Sequence, residues 1–215
     1  MEIMVLSTLH HLHGDVDYYT FEYLSQIIEK FSPEVLAVEL TPADLESRRE
    51  QRIKQEYPKS VYPLLDKLQC KVVPLEPPEP AYSEMVEMGR RAKERLEKEE
   101  PNTVRQFGLY VNVLYSELLE WWSSPIDVNA TESDRHIEIK HKYQSILFGE
   151  DEENGWERWN QHFLEQILGE AVKGKEGKML VLVGLEHSYW LRKQLASRED
   201  IELLDATSIL EEMFD

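Results

Sequence analysis

The chain has 215 residues, 41% of them hydrophobic, enough to bury one sizeable core. Its 42 acidic against 24 basic residues leave a formal net charge of -18, which argues against nucleic acid or an anionic membrane as the main partner, since both need clustered Lys and Arg. A lone cysteine, Cys70, excludes an intrachain disulfide framework and a thiolate metal cluster.

Residues 2–9 form a continuously apolar run, the pattern of a strand covered on both faces. Tyr18 to Phe31 reads as a helix, with Phe21, Leu24, Ile27, Ile28 and Phe31 at helical spacing, stopped by Ser32-Pro33. A second strand over 34–39 follows. Thr41-Pro42 then opens a helix whose continuation, Asp44 to Glu56, is highly charged and expected to be exposed. A short helix over Tyr62–Leu68 precedes a third strand, 71–75. This is a βαβαβ order, and the right-handed crossover rule implies a parallel sheet.

The prolines at 74, 77, 78 and 80 end that half, and residues 81–173 read as helices only: Tyr82–Glu100, Pro101–Trp122, Thr131–Phe148, and a fourth capped by Asn154 and running to Val172. A fourth strand (179–185), a helix (188–197), a fifth strand (201–204) and a terminal helix (207–213) complete the chain. The expected fold is α/β, a mostly parallel sheet with helices on both faces. It divides into a first half (1–80), a helical insertion (81–173) and a second half (174–215). The insertion serves either as a lid over the strand ends or as cover for a sheet flank, including a possible homodimer surface. Without an apolar run of membrane-spanning length or a signal-like N-terminal segment, a soluble, cytoplasmic protein is expected.

Ligands of open α/β sheets bind at the carboxyl ends of the strands, and there the candidate residues gather. His10 ends the first strand and opens a loop with His11, His13 and Asp15. His10 is the first choice because the strand fixes its position, and His13 the second. His11 is expected to face solvent. Glu39 ends Val35-Leu36-Ala37-Val38, where a carboxylate must be paired, protonated or metal-bound unless it caps the next helix. Glu76 has the same placement after the third strand, unless the proline-rich stretch that follows carries it into solvent. Gly184-Leu185-Glu186-His187 ends the fourth. Glu186 and His187 are adjacent on an extended segment and should point oppositely, so only one faces the site, and His187 is the choice because it mirrors His10. Gly184 must be small because a backbone passes close to a ligand or helix there. Arg158, Asn160 and His162 share the last inserted helix with Trp156 and Trp159. Arg158 and Asn160 reach a substrate if the insertion folds over the strand ends.

These segments resemble the TraB/Tiki superfamily, which also groups erythromycin esterase and the ChaN-like proteins. Its signature is a pair of Gly-x-x-His motifs and a glutamate ending the second strand. The second motif stands intact as Gly184-Leu185-Glu186-His187. The first appears as Ser7-Thr8-Leu9-His10, with Ser in place of Gly, and the glutamate as Val38-Glu39-Leu40. An Arg followed by Asn or Asp is frequent on the helix before the last motif, where this chain has Arg158-Trp159-Asn160. The resemblance implies the fold above and, for some members, metal-dependent peptidase- or esterase-like hydrolysis of a small-molecule or peptide substrate.

On this reading His10, Glu39 and His187 hold a divalent ion (Zn, Mn, Co or Fe) with an open position for water, whose pKa the metal lowers to ~7 in zinc enzymes. Glu76, Glu186 or His13 then takes the proton as general base. Two rivals stand beside it. One is a metal-free hydrolase with a His general base. The other is a non-catalytic protein that uses the pocket for haem or another small ligand, or has a regulatory role.

Overall fold

The computed structural model describes residues 1–173 and 177–214. Strands β1 (Glu2–Thr8), β2 (Val35–Val38), β3 (Lys71–Pro74), β4 (Lys178–Gly184) and β5 (Glu202–Leu203) form one sheet in the order β3-β2-β4-β1-β5. Every pairing is parallel, and Thr8 of β1 stands opposite Gly184 of β4. The central strands carry no polar alternation because both faces are covered. Met4, Leu6, Leu36, Leu180 and Leu182 enter one apolar layer, and Ile3, Val5, Ala37, Val181 and Val183 the other.

Helices α1 (Phe21–Phe31), α2 (Pro42–Ser47) and α3 (Tyr62–Leu65) belong to the first half. Helix α1 begins later than the apolar pattern predicts because Thr20 caps it, its hydroxyl accepting the Tyr23 N–H at 3.2 Å. Helix α2 is far shorter than the expected run to Glu56. It stops at Ser47, and Arg48 turns left-handed with φ of 46°. The charged stretch after it is therefore a loop leading into a single π-helical turn, Tyr57–Val61.

Between β3 and β4 come α4 (Ala81–Glu99), α5 (Pro101–Trp121), the short α6 (Pro125–Asn129), α7 (Thr131–Phe148) and α8 (Glu150–Lys173). Helix α6 was not foreseen, and α8 starts at Glu150 rather than Asn154, with four acidic residues in its first turn favouring the positive end of the helix dipole. The insertion shares the sheet's core, since Phe163, Leu164, Ile167 and Ala171 of α8 pack directly on one face and Leu114 and Leu118 of α5 join the layer on the other. Its expected boundary at 173/174 adjoins residues 174–176, which lie outside the described residues.

Helix α9 (Leu185–Ala196) begins immediately after Gly184, and α10 (Ala206–Phe214) ends the described chain. The segment expected to stay extended through Glu186 and His187 is thus the first turn of a helix. Among the described residues, no helix is long and apolar enough to cross a membrane.

Candidate functional site

Five chain segments meet at the carboxyl ends of β1, β2, β3 and β4, and Glu39 is their hub. Its Oε2 accepts the Gly184 N–H at 2.6 Å. Its Oε1 lies 3.0 Å from Lys54 Nζ, 4.0 Å from His10 Nε2 and 3.9 Å from His187 Nε2. The two imidazoles therefore converge on one carboxylate oxygen, as adjacent strands β1 and β4 require. Glu39 does not cap α2, because Thr41 does, accepting the Asp44 N–H at 3.1 Å. Burial opposes the charge of Glu39, but Lys54, His187, His10 and the Gly184 amide outweigh it and hold the carboxyl down at about 2.

His10 adopts φ of 53°, an uncommon conformation for a side-chain-bearing residue, and opens the 3-10 turn His10–Gly14. Its Nδ1–H donates to Glu56 Oε1 at 2.7 Å, and Thr8 Oγ1 donates to the same oxygen at 2.9 Å. Burial pushes the imidazole pKa down, but the carboxylates of Glu56 and then Glu39 prevail, and the net shift is upward from 6.5. Gly184 is small because this ring lies on it: a Cβ at 184 would stand 2.5 Å from His10 Nε2.

His187 is held from the other side. Asn160 Nδ2 donates to the Trp156 carbonyl at 2.8 Å, which leaves Asn160 Oδ1 to accept His187 Nδ1–H at 3.0 Å. The free Nε2 lone pair then faces Glu39. Burial is the first cause of its pKa falling to about 4, with Glu39 opposing, so His187 is neutral at pH 7. Asn160 is therefore an orienting residue rather than an open substrate contact. Arg158 is exposed and turns to Met88 Sδ at 3.7 Å, away from the cluster.

Glu76 joins the cluster through Lys54, whose Nζ donates to it and to the Glu39 carbonyl, the latter at 3.0 Å. Burial pushes Glu76 up to about 7, with Lys54 opposing and the Glu39 charge adding. Lys54 itself loses by burial and gains more from Glu39 and Glu76, so it stays protonated. Tyr57 closes the floor, its hydroxyl accepting the Glu39 N–H at 2.8 Å and donating to the Leu182 carbonyl at 3.2 Å. The carboxylates are sealed while the nitrogens reach the surface. Side-chain exposure is 25% for His10, 17% for Lys54 and 14% for His187, against 4% for Glu39 and 0% for Glu56.

Two candidate bases lie elsewhere. His13 is buried with both nitrogens committed, Nε2 accepting the Leu9 N–H at 2.9 Å and Nδ1–H donating to the Tyr19 carbonyl at 2.6 Å. It fastens the loop, and burial keeps it neutral with a pKa of about 4. Glu186, in the first turn of α9, points into the insertion and meets Lys140 Nζ at 2.7 Å, His141 Nε2 at 2.5 Å and the Tyr115 hydroxyl. Burial opposes its charge, but Lys140 and His141 hold it well below the usual carboxylate range. The helical start of α9 sends Glu186 and His187 to different neighbours.

Lys54 and Glu56 are the site residues that sequence reasoning missed, because the loop carrying them has the composition of a solvated helix face. The available signal was Glu56 standing directly before Tyr57-Pro58, an aromatic and a helix-starting proline followed by apolar Val61 and Tyr62.

The donor set is chemically suited to a divalent ion, since each imidazole gives its Nδ1–H to an acceptor and turns Nε2 toward a carboxylate, the usual orientation of metal-bound histidines. Donor atoms around a tetrahedral ion at ~2.1 Å stand about 3.4 Å apart, and His10 Nε2 and His187 Nε2 lie 4.0 and 3.9 Å from Glu39 Oε1, near that spacing. The Lys54 ammonium, 3.0 Å from the same oxygen, competes with an ion for it, so these three side chains suit a divalent ion only once Lys54 moves away.

No protein-family description, no curated protein and no solved structure matches this chain.

Proposed function

We propose that the protein is a hydrolase of carboxylic esters or amides that works by general acid–base catalysis at the cluster around Glu39, with His10 as the base. The observation that carries this reading is the His10–Glu56 pair: a buried carboxylate fixes the Nδ1–H tautomer at 2.7 Å while Nε2 stays partly open to solvent at the strand ends. A carboxylate in that position orients the imidazole and stabilises the imidazolium as it forms.

In the proposed reaction a water gives its proton to His10 Nε2 as its oxygen bonds to the substrate carbonyl carbon. The Lys54 ammonium, whose hydrogens go to Glu39 Oε1, the Glu39 carbonyl and Glu76, supports the oxyanion through its charge rather than through a hydrogen bond. The intermediate then collapses, and the leaving group departs with the proton from His10. Neutral His187, held by Asn160, offers its Nε2 as an acceptor to orient the substrate. Esterase-like hydrolysis is also what the resemblance to the TraB/Tiki superfamily implies.

The test is hydrolysis of p-nitrophenyl acetate with and without a chelator. Turnover that survives EDTA and falls by ~10²–10⁴ in His10→Ala supports the reading. Turnover abolished by EDTA and restored by zinc or manganese counts against it and for a metal-dependent hydrolase, which the Nδ1 partners of both histidines favour. That second reading requires Lys54 to leave Glu39.

A further inference from the structure

We propose that the groove inside the helical insertion is a binding site for a linear acyl chain, which it presents to the cluster around Glu39. The acyl-substrate part rests on the hydrolase reading above; the binding site does not.

A cavity of about 660 Å3 runs between α4, α5, α7 and α8, within the size range of small-molecule sites. Met85 and Glu97 both line it, and at ~1.5 Å per helical residue they are about 18 Å apart along α4. The space is therefore long, which suits an extended chain better than a compact ring system. Its walls are mainly apolar, with Met85, Val104, Phe107 and Phe148 among them.

Two glycines keep it open. Gly89 lies inside α4 and Gly108 inside α5, where glycine is disfavoured relative to alanine. Both line the groove, and a Cβ on either would find no atom within 4 Å. Neither is needed for close helix packing or for a turn, and both φ values are ordinary. Side chains at these two positions would project into the space a chain occupies. By contrast, Gly155 on α8 is a packing glycine, with Met88 Cβ 3.2 Å from its added Cβ.

One end of the groove reaches the candidate site. Trp159 lines the groove, and its ring lies 6.4 Å from the His187 ring and 5.4 Å from the Tyr82 ring. The indole nitrogens of Trp156 and Trp159 are closed to the groove as well as to solvent, so both residues serve it as apolar wall. Of the cations on the groove wall, Arg90 is paired with Glu87 at 2.5 Å and also with Glu94, and Lys93 faces Glu97 at 3.8 Å, so each meets a carboxylate of α4 before it meets an acid headgroup. The carbonyl thus belongs at the Trp159 end, which adjoins His187, and the methyl terminus at the Glu97 end.

The test is a titration of the whole protein with sodium laurate below its micelle concentration, read by tryptophan fluorescence and calorimetry. It is repeated on Gly108→Phe and on Gly89→Leu, each checked for native helical circular dichroism. Saturable binding by the natural protein, weakened at least tenfold in the folded variants, is the expected result. No saturable binding, or equal affinity in a folded variant, overturns the groove. Hydrolysis of p-nitrophenyl laurate and acetate separates the two readings. Laurate binding without hydrolysis of either ester removes the hydrolase and leaves the groove, whereas His10-dependent acetate hydrolysis without laurate binding does the reverse.

Discussion

Gly184→Ala is the sharpest probe of how the site is built, because it adds one methyl group where there is no room. The new Cβ would stand 2.5 Å from His10 Nε2 and 2.8 Å from Cε1. Ordinary contact begins near 3.4 Å, so the imidazole must retreat by roughly 0.9 Å. It cannot do so freely. Its Nδ1 is tied to Glu56 at 2.7 Å, and its backbone already sits at φ of 53°. Glu56 is fully buried with Oε2 unpartnered, so stretching this bond weakens one of its two remaining contacts. Overpacking of this kind costs ~1–3 kcal/mol. For a chain this long each kcal/mol lowers the melting temperature by about 2–4 °C. A fall of roughly 5 °C is therefore expected in a circular-dichroism melt. The raised pKa of His10 should drop toward ~6.5, read by imidazole NMR, as Glu56 loses its grip. Gly89→Ala is the control. No atom lies within 4 Å of its added Cβ, so helix propensity alone should raise stability by ~0.8–1 kcal/mol. Gly184→Ala that melts with the natural protein and keeps the raised His10 pKa would refute the close approach.

Lys54→Met leaves Glu39 and Glu76 buried without their cation and should cost ~3–5 kcal/mol by denaturant melt. Adding Glu39→Gln and Glu76→Gln should recover part of that loss, and no recovery would mean the carboxylates are satisfied otherwise. For Glu56→Gln the linkage sign follows from the raised folded pKa of His10. The stability that His10 contributes is complete below its unfolded value of ~6.5 and fades as pH rises through the folded value. Stability-against-pH curves should lose that alkaline decline in the variant. His13 behaves oppositely. With its folded pKa lowered to about 4, stability is lost as pH falls from ~6.5 toward that value, on the order of 3 kcal/mol in all. His13→Leu should flatten that acid limb while lowering stability at pH 7, because the Leu9 N–H and Tyr19 carbonyl lose their partner.

The sheet was legible in the sequence because strands buried on both faces leave an unbroken apolar record, which β2 and the middles of β1 and β4 carry, while the edge strand β3 shows it only in Val72-Val73. Placing ligands at strand ends followed from topology alone, and His10, Glu39, Glu76 and His187 do meet there. Helix α9 was mispositioned for a physical reason. Leu185 continues the apolar run of β4, and no capping side chain marks the change, since the N-cap is Gly184 itself with its amide bonded to Glu39. Reading that turn as extended misdirected Glu186, whose true partners are on α5 and α7. The loop after Ser47 was opaque for a different reason. Alternating Arg, Glu, Gln and Lys is what a solvated helix looks like, and beyond the Tyr57-Pro58 that follows Glu56 nothing local shows that Lys54 and Glu56 are drawn inward by carboxylates and an imidazole elsewhere in the chain.

The two Gly-x-x-His-like segments differ in what their first residues do, and this explains why serine suffices at one and glycine is needed at the other. Thr8, not Ser7, stands opposite Gly184 in the sheet register. His10 therefore follows its register position by two residues and His187 by three. Ser7 points away from the cluster: its hydroxyl donates to Ser188 Oγ at 2.8 Å and accepts from Arg192 Nη2 at 2.9 Å, while its amide donates to Asn129 Oδ1 at 2.8 Å. These bonds tie β1 to α9 and α6, and a glycine would lose two of them. At 184 the His10 ring itself fills the space a side chain would take. The likeness of the two motifs thus lies in the spacing that sends a histidine past each strand end, while the small residue at 184 makes room for the histidine of the other motif. A substitution at Ser7 should therefore act through the packing of α9, and one at Gly184 through the His10 imidazole.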